Sequence, residues 1–415
     1  MTPDDRFDGT VSVFLQERAG TGAPDYLDDI LGRTARTRQR PGWLSIERWS
    51  PMDISATRTA LPSRFPMRSL ALFAILALLL VAVVALAVGA RQQRLPAPFG
   101  PASNGLIAYG AADGDIYAID AATGAKHQLV TGPEHDETPD FAPNGTQFVF
   151  AREVSAGYGW RMMIANADGS NVRPLTDTIY PEGNAWSPNS EHVAIVDALH
   201  VPAGLTIYSV DGSPKVDLPV YMDVVDLQWR SDTELIFTGH EGDTHGLYVV
   251  GIDGSPPRPI LPESGVDVDW MTPVVSPDGS ELAYAKWGGN PMIHIVNIDT
   301  GFDRTVQYTG TNEGDGWPTA WSPDGTQLVF TRWDGTINHL AIGSANGGPA
   351  VNVGPAFPDF TDGARGLFSP DGRQIIARYG KETETTWLLD ATGGAGKRLI
   401  TDVPYIATWQ RLALP

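Results

Sequence analysis

The sequence predicts an all-β fold: a seven-bladed β-propeller preceded by one transmembrane helix and a short helical N-terminal tail, with six blades as the alternative count. Three observations predict it. A turn-and-strand pattern recurs along the chain, clearest as WSPDGTQLVFTRW from Trp321, VSPDGSELAYAKW from Val275 and FSPDGRQIIARYG from Phe368. Residues 70–90, LALFAILALLLVAVVALAVGA, hold no charged and no polar side chain. Gly and Pro number 45 and 33 of 415 residues, about 19%, against a usual share of roughly 12%. Hydrophobic content of 42% and the lack of a Gly-X-Y period exclude disorder and collagen, so the excess belongs to turns. A chain of this length outgrows the single-core limit of roughly 250–300 residues unless it is built from repeats.

Residues 1–69 read as a cytoplasmic tail. They hold ten Arg against nine acidic residues, a net of +1. Phe7, Val11, Phe14 and Leu15 fall on one stripe of a helix, which Glu17 to Pro24 breaks. A second helix starts at Pro24. Its early turns carry Asp25, Asp28 and Asp29, its late turns Arg33, Arg36, Arg38 and Arg40, an order that complements the helix dipole. Leu27, Ile30 and Leu31 form its apolar side, and Pro41-Gly42 ends it. Such short helices bury little by themselves. The tail therefore either anchors and orients the chain or docks a cytoplasmic protein. Trp43 and Trp49 suit the inner membrane interface or packing on the second helix.

Residues 70–90 read as a membrane span. At 1.5 Å rise they cover about 31 Å, enough for a hydrocarbon core of roughly 30 Å. A cleaved signal peptide has a shorter apolar region, nearer the N-terminus. Arg58, Arg64 and Arg68 flank the run on one side and Arg91 and Arg94 on the other; the arginines farther upstream place the N-terminus in the cytoplasm. Residues 91–103 are a linker. Residues 91–415 carry 19 basic and 40 acidic side chains, a net of −21. The formal net charge of −20 argues against a nucleic-acid partner for the whole chain.

Residues 104–415 hold the repeat. Weaker copies read FAPNGTQFVFARE from Phe141 and WSPNSEHVAIVDA from Trp186, and a degenerate one reads WRSDTELIFTGHE from Trp229. The third motif position falls at Pro143, Pro188, Ser231, Pro277, Pro323 and Pro370, in steps of 45, 43, 46, 46 and 47 residues. A strand-rich period in the forties marks a propeller blade. Each unit has an inner strand ending at the aromatic, an S-P-D-G turn, an alternating run such as Gln327 to Thr331, a third strand, a second tight turn and a short fourth strand. The second turns number seven, starting at Asp120, Asn166, Val210, Ile252, Ile298, Ser344 and Asp390. The first set, residues 105–130, lacks an inner strand. The last strand, residues 406–410 with Trp409, supplies it, so the chain ends close one blade and leave no open sheet edge.

The S-P-D-G turn followed by an apolar strand resembles the TolB-like and WD-like propeller repeats of bacterial envelope proteins, over roughly residues 104–412. The resemblance implies a propeller and leaves the ligand unnamed. Soluble periplasmic relatives of this kind have six blades and an extra N-terminal domain; this chain differs in its apolar run, its seven blades and its tail. In some similar layouts the tail is an anti-sigma segment, though the His-Cys zinc motif of that class is missing.

Cysteine is absent, which excludes disulfide scaffolds, thiolate metal sites and cysteine nucleophiles. The eight His, at 127, 135, 192, 200, 240, 245, 294 and 339, form no close metal spacing. The densest polar group is His240, Glu241, Asp243 and His245, expected in a loop between the second and third strands of a blade. No G-x-S-x-G, P-loop or dinucleotide motif occurs. Phe141, Trp186, Trp229, Trp321 and Phe368 recur at one blade position and read as packing groups rather than a sugar-stacking ring. Acidic residues Glu134, Asp136, Glu137, Asp267 and Asp269 are expected in loops, giving a negative field. The sequence therefore points to no catalytic, cofactor or metal residue and to no cofactor. It points to a single-pass bacterial membrane protein with an extracytoplasmic propeller, binding an envelope protein, peptide or glycan as scaffold or sensor. A transmembrane regulator acting through residues 1–40 and a propeller enzyme such as a polysaccharide lyase are the alternatives.

Overall fold

The computed structural model describes residues 100–154, 159–198, 204–220, 222–241, 244–261, 273–286, 292–309, 316–333, 336–357, 365–379, 385–394, 396–401 and 408–414. The tail helices, the apolar run at 70–90 and the linker to residue 99 lie outside these residues. Among the described residues no helix is long and apolar enough to cross a membrane.

Seven sheets make up the described residues, each built on four antiparallel strands; in six of them those four run in sequence order from inside to outside, and the seventh is closed by the last strand of the chain. In blade one the four strands are Asp136–Phe141, Gln147–Glu153, Trp160–Asn166 and Arg173–Pro174. Blades two to six begin with inner strands Pro181–Trp186, Asp223–Ser231, Val274–Val275, Pro318–Trp321 and Arg365–Phe368. Blade seven is composite: Thr408–Leu412 is its inner strand, while Ser103–Gly110, Ile116–Asp120 and Lys126–Val130 are the other three. Ser103 pairs with Leu412 and Ile107 with Trp409, so the chain ends interlock as the sequence predicts. The count is seven rather than six.

The S-P-D-G turn forms because each polar member has a defined partner. In blade four the Ser276 hydroxyl donates to Asp278 Oδ1 at 2.6 Å and accepts from the Glu281 amide at 2.9 Å. The Ser280 amide then donates to the same Asp278 oxygen at 3.1 Å. Blades five and six repeat this with Ser322, Asp324 and Thr326 and with Ser369, Asp371 and Arg373. The glycine adopts the left-handed conformation, φ 72° at Gly279 and 71° at Gly325, which a side chain would strain. At the matching position Gly145 the constraint is also one of space. A Cβ there would lie 1.9 Å from the Arg411 carbonyl oxygen of the closing strand.

The core is not one cluster but seven, each lying between two neighbouring blades. Trp186 of blade two packs with Val149 and Ile164 of blade one. Trp409 packs with Ile107, Ile376 and Leu388 across blades six and seven. Both faces of every blade are thus covered, which corrects the expected alternation of the second strands. Leu328, Val329 and Phe330 are all fully buried, as are Leu282, Ala283 and Tyr284. A strand sandwiched on both faces reads as a continuous apolar run.

One strand was not foreseen. Tyr308–Thr309 follows the outer strand of blade four and pairs in parallel with Gly348–Phe357, the outer strand of blade five. Tyr308 stacks on Phe330 with centroids 4.3 Å apart, so the connecting segment is fastened to the blade it is about to enter.

Candidate functional site

The inner strands converge on the ring axis, and two of their positions organise it. At the strand end stand the recurring aromatics, all buried: Phe141, Trp186, Trp229, Trp321, Phe368 and Trp409 are 5–8% exposed. Three indoles do more than fill space. Trp186 Nε1 donates to the Asp140 carbonyl at 3.0 Å, Trp229 Nε1 to Ala185 at 2.9 Å and Trp321 Nε1 to Val274 at 2.8 Å. Each acceptor is the inner-strand residue just before the anchor of the preceding blade, so the indoles staple blade to blade. Trp409 occupies the same position, but its buried Nε1 has no hydrogen-bond partner.

The position before the anchor is filled by Asp140, Ala185, Gln228, Val274, Ala320, Leu367 and Thr408. Its polar members also bridge blades. Gln228 donates to the Pro273 carbonyl and accepts from the Val275 amide at 3.0 Å, adding itself to the next inner strand. Thr408 Oγ1 and Asn184 Nδ2 each donate to the Asp140 carboxyl at 3.3 Å, from blades seven and two. Burial pushes Asp140 up to about 6, against the pull of those two bonds. One position removed, the Thr319 hydroxyl donates to the Gly366 carbonyl of the next blade at 3.0 Å.

Around this lattice lies a cavity of about 440 Å³, walled by the inner strands of blades three to seven at the S-P-D-G end. Pro277, Pro323, Pro370, Trp321, Phe368 and Trp409 give it an apolar collar. Gly100 and Arg411 sit in its wall, and Arg411 Nη2 donates to the Gly100 carbonyl at 2.7 Å. Toward the opposite ends of the inner strands the axis carries charge. Burial raises the Asp226 carboxyl pKa, while the positive charge of Arg365, three blades away, pulls it down.

Several expected residues are placed differently. His240 and His245 lie on strands Glu234–Glu241 and Thr244–Gly251 and pair with each other in the blade-three hairpin, rather than in a loop. Asp136 is not a loop residue contributing to an open field. It is 1% exposed on the inner strand of blade one, with both oxygens clamped by Arg152 at 2.7 Å. Glu137, also on that strand, lies 3.5 Å from His135 Nε2. Asp243, Asp267 and Asp269 fall outside the described residues. His294 Nδ1 contacts Asp303 at 3.0 Å on the outer strands of blade four. Burial raises the Asp303 pKa, but its bonds, with His294 foremost, outweigh this and leave it lowered. Among the described residues no three His, Asp or Glu side chains are grouped to hold a metal ion. The axial bridges escaped the sequence reading because Asp140, Gln228 and Thr408 share a repeat position without sharing a residue type.

Fold and axis together define a closed, repeat-built seven-bladed propeller. The chain belongs to the TolB beta propeller domain family, whose model matches residues 154–403, more than half of the sequence. It is 27% identical over 147 residues to a TolB homologue of Chlorobium chlorochromatii, covering 34% of this chain and 31% of that one. It is 24% identical over 174 residues to an uncharacterised protein of Agrobacterium fabrum, covering 42% and 47%. The matches thus span less than half the length of these relatives. Among solved structures it is similar to an oligogalacturonate lyase in complex with manganese, with a TM-score of 0.54, 16% identity and coverage of 72% and 88%. At that identity the likeness concerns the fold alone.

Proposed function

We propose that this chain is a single-pass bacterial membrane protein whose propeller is a rigid recognition scaffold in the envelope, taking a protein, peptide or glycan ligand. In this reading residues 1–69 are a cytoplasmic tail, residues 70–90 the membrane span, residues 91–103 a linker and residues 104–415 the extracytoplasmic propeller. The observation that carries it is the use made of the axial polar groups. Asp140, Asn184, Gln228, Thr319 and Thr408 all bond to neighbouring blades. They hold a frame rigid instead of converging on a point where a bond could be broken. A rigid frame that presents loops is what recognition requires. Family membership and the uncharged 70–90 run support the envelope setting.

A second reading is a transmembrane regulator. The order of charge along residues 24–40, acidic first and basic last, favours it, since a helix formed there would be short and amphipathic and would bury little by itself. The lyase reading has only a shared fold behind it.

Crosslinking and capture of the full-length protein from membranes, beside a version lacking residues 1–60, tests both. Envelope partners retained by both versions are the expected result. A cytoplasmic protein lost on truncation, with no envelope partner in either version, replaces the scaffold with the regulator. Release of the full-length chain from membranes by alkaline carbonate sinks the span.

A further inference from the structure

Basic side chains are outnumbered in the propeller, yet two arginines stand together beside the axis. Arg365 opens the inner strand of blade six, and its direct cross-strand partner is Arg378 on the second strand. Directly opposite residues of an antiparallel pair share a face of the sheet. Two residues away on each strand, Leu367 and Ile376 pack with Ile107 of blade seven, so both arginines lie on the face turned toward that blade. Thr386, opposite Arg378 on the third strand, continues the row with a hydroxyl.

Like charges placed directly opposite each other repel. The effect registers at Arg378, where burial and then the charge of Arg365 hold the guanidinium below its ordinary pKa. Blade one cancels such a charge: Arg152, cross-strand from Asp136, is clamped by that carboxyl at 2.7 Å. Arg365 is exposed, and among the described residues no hydrogen bond or ion pair holds it. The Asp226 carboxyl feels its charge from three blades away, but burial outweighs that pull and keeps Asp226 raised.

Counted from the strand anchors, Asp226 and Arg365 occupy the same step of their blades. Trp229 faces Leu235 and, three residues back, Asp226 faces Thr238; Phe368 faces Ile375 and, three residues back, Arg365 faces Arg378. Glu137, opposite Ala151, holds that step in blade one. One level of the axis is therefore acidic on blades one and three and basic on blade six. A group drawn to the basic side is an anion. The planar fork of a guanidinium binds the paired oxygens of carboxylate or phosphate, with bonds about twice as strong as neutral ones.

We propose that Arg365 and Arg378 form an oxyanion site at the axial end opposite the S-P-D-G turns, taking the carboxylate or phosphate group of a small ligand. The bound anion relieves the repulsion between the two arginines. The site needs neither the membrane span nor the tail.

Inorganic phosphate and glucuronate are the probes. Each is titrated into the full-length protein in maltoside micelles at constant ionic strength, and its phosphorus or carboxyl-carbon NMR line width is followed. Saturable broadening of at least one probe is expected. Tighter binding of phosphate assigns the site to a phosphate ester, tighter binding of glucuronate to a carboxylate. Arg365→Gln and Arg378→Gln should each weaken the bound probe about tenfold, the factor that 1.4 kcal/mol provides. Arg365→Lys keeps the charge, loses the fork and should fall between. Without either probe, Arg365→Gln removes a repulsion, so its urea midpoint in chloride should not fall below that of the parent, which separates lost binding from lost structure. Absence of broadening with both probes, or broadening unchanged in either glutamine variant, overturns the site.

Discussion

At the scale of the residue, Asp140 makes the stability of the ring depend on pH. Its carboxyl is pushed up to about 6, against about 3.9 for an aspartate in the unfolded chain. A folded-state pKa above the unfolded one means that the native protein holds the proton more tightly. The resulting stabilisation is full below pH about 4 and is lost as pH rises through about 6. Near neutral pH the native state therefore keeps an ionised carboxylate at a cost on the order of 1–3 kcal/mol, since each pKa unit corresponds to about 1.4 kcal/mol and the side chain is only half-buried. Asp140→Asn removes the ionisation while keeping an acceptor for Thr408 or Asn184. The expected result is a higher urea midpoint at pH 7.5, no gain at pH 4, and a flatter profile between. A variant less stable at both values would mean that the charge is needed where it stands.

At the scale of the element, the S-P-D-G turn and the strand anchor behave differently, and so does their legibility in the sequence. The turn is local: Ser276, Asp278 and Gly279 satisfy one another within six residues, so spacing alone reveals it. The anchor is half local. Periodicity identifies Trp321 as a packing residue, but its indole N–H reaches Val274, 47 residues earlier, and no pattern within one repeat announces that bond. The Asp136–Arg152 pair was hidden for a related reason, because polarity suggests a loop while the partner lies on the adjoining strand. The parallel Tyr308–Thr309 strand is too short for any period to mark it. The indole bond carries a test. Trp321→Phe keeps the ring but leaves the Val274 carbonyl without its donor, which should cost about 1–3 kcal/mol as a lower urea midpoint. An unchanged midpoint would show that packing alone anchors the strand.

At the scale of the whole molecule, closure decides how the ring fails. Every blade of a closed ring packs on two neighbours, so releasing one means breaking two interfaces. Once the ring is cut, the blades at the cut have a single interface each and can fray in turn, as the ends of an open solenoid do. The closing strand Thr408–Leu412 is the natural place to cut. It buries Trp409 among Ile107, Ile376 and Leu388, and side-chain truncation of a buried Trp alone typically costs 3–5 kcal/mol. Gln410 also joins the Leu106 amide at 3.2 Å to the Gly145 carbonyl at 2.8 Å, tying blade seven to the first S-P-D-G-type turn. Deleting residues 408–415 bares the Ser103–Gly110 edge and leaves the other interfaces intact. Native-state hydrogen exchange should then show a graded loss of protection, largest in blades seven, one and six and smallest in blades three and four, opposite the cut. Protection unchanged in blades one and six would show that the interfaces hold without closure, and that the interlocked ends serve only to hide a sheet edge.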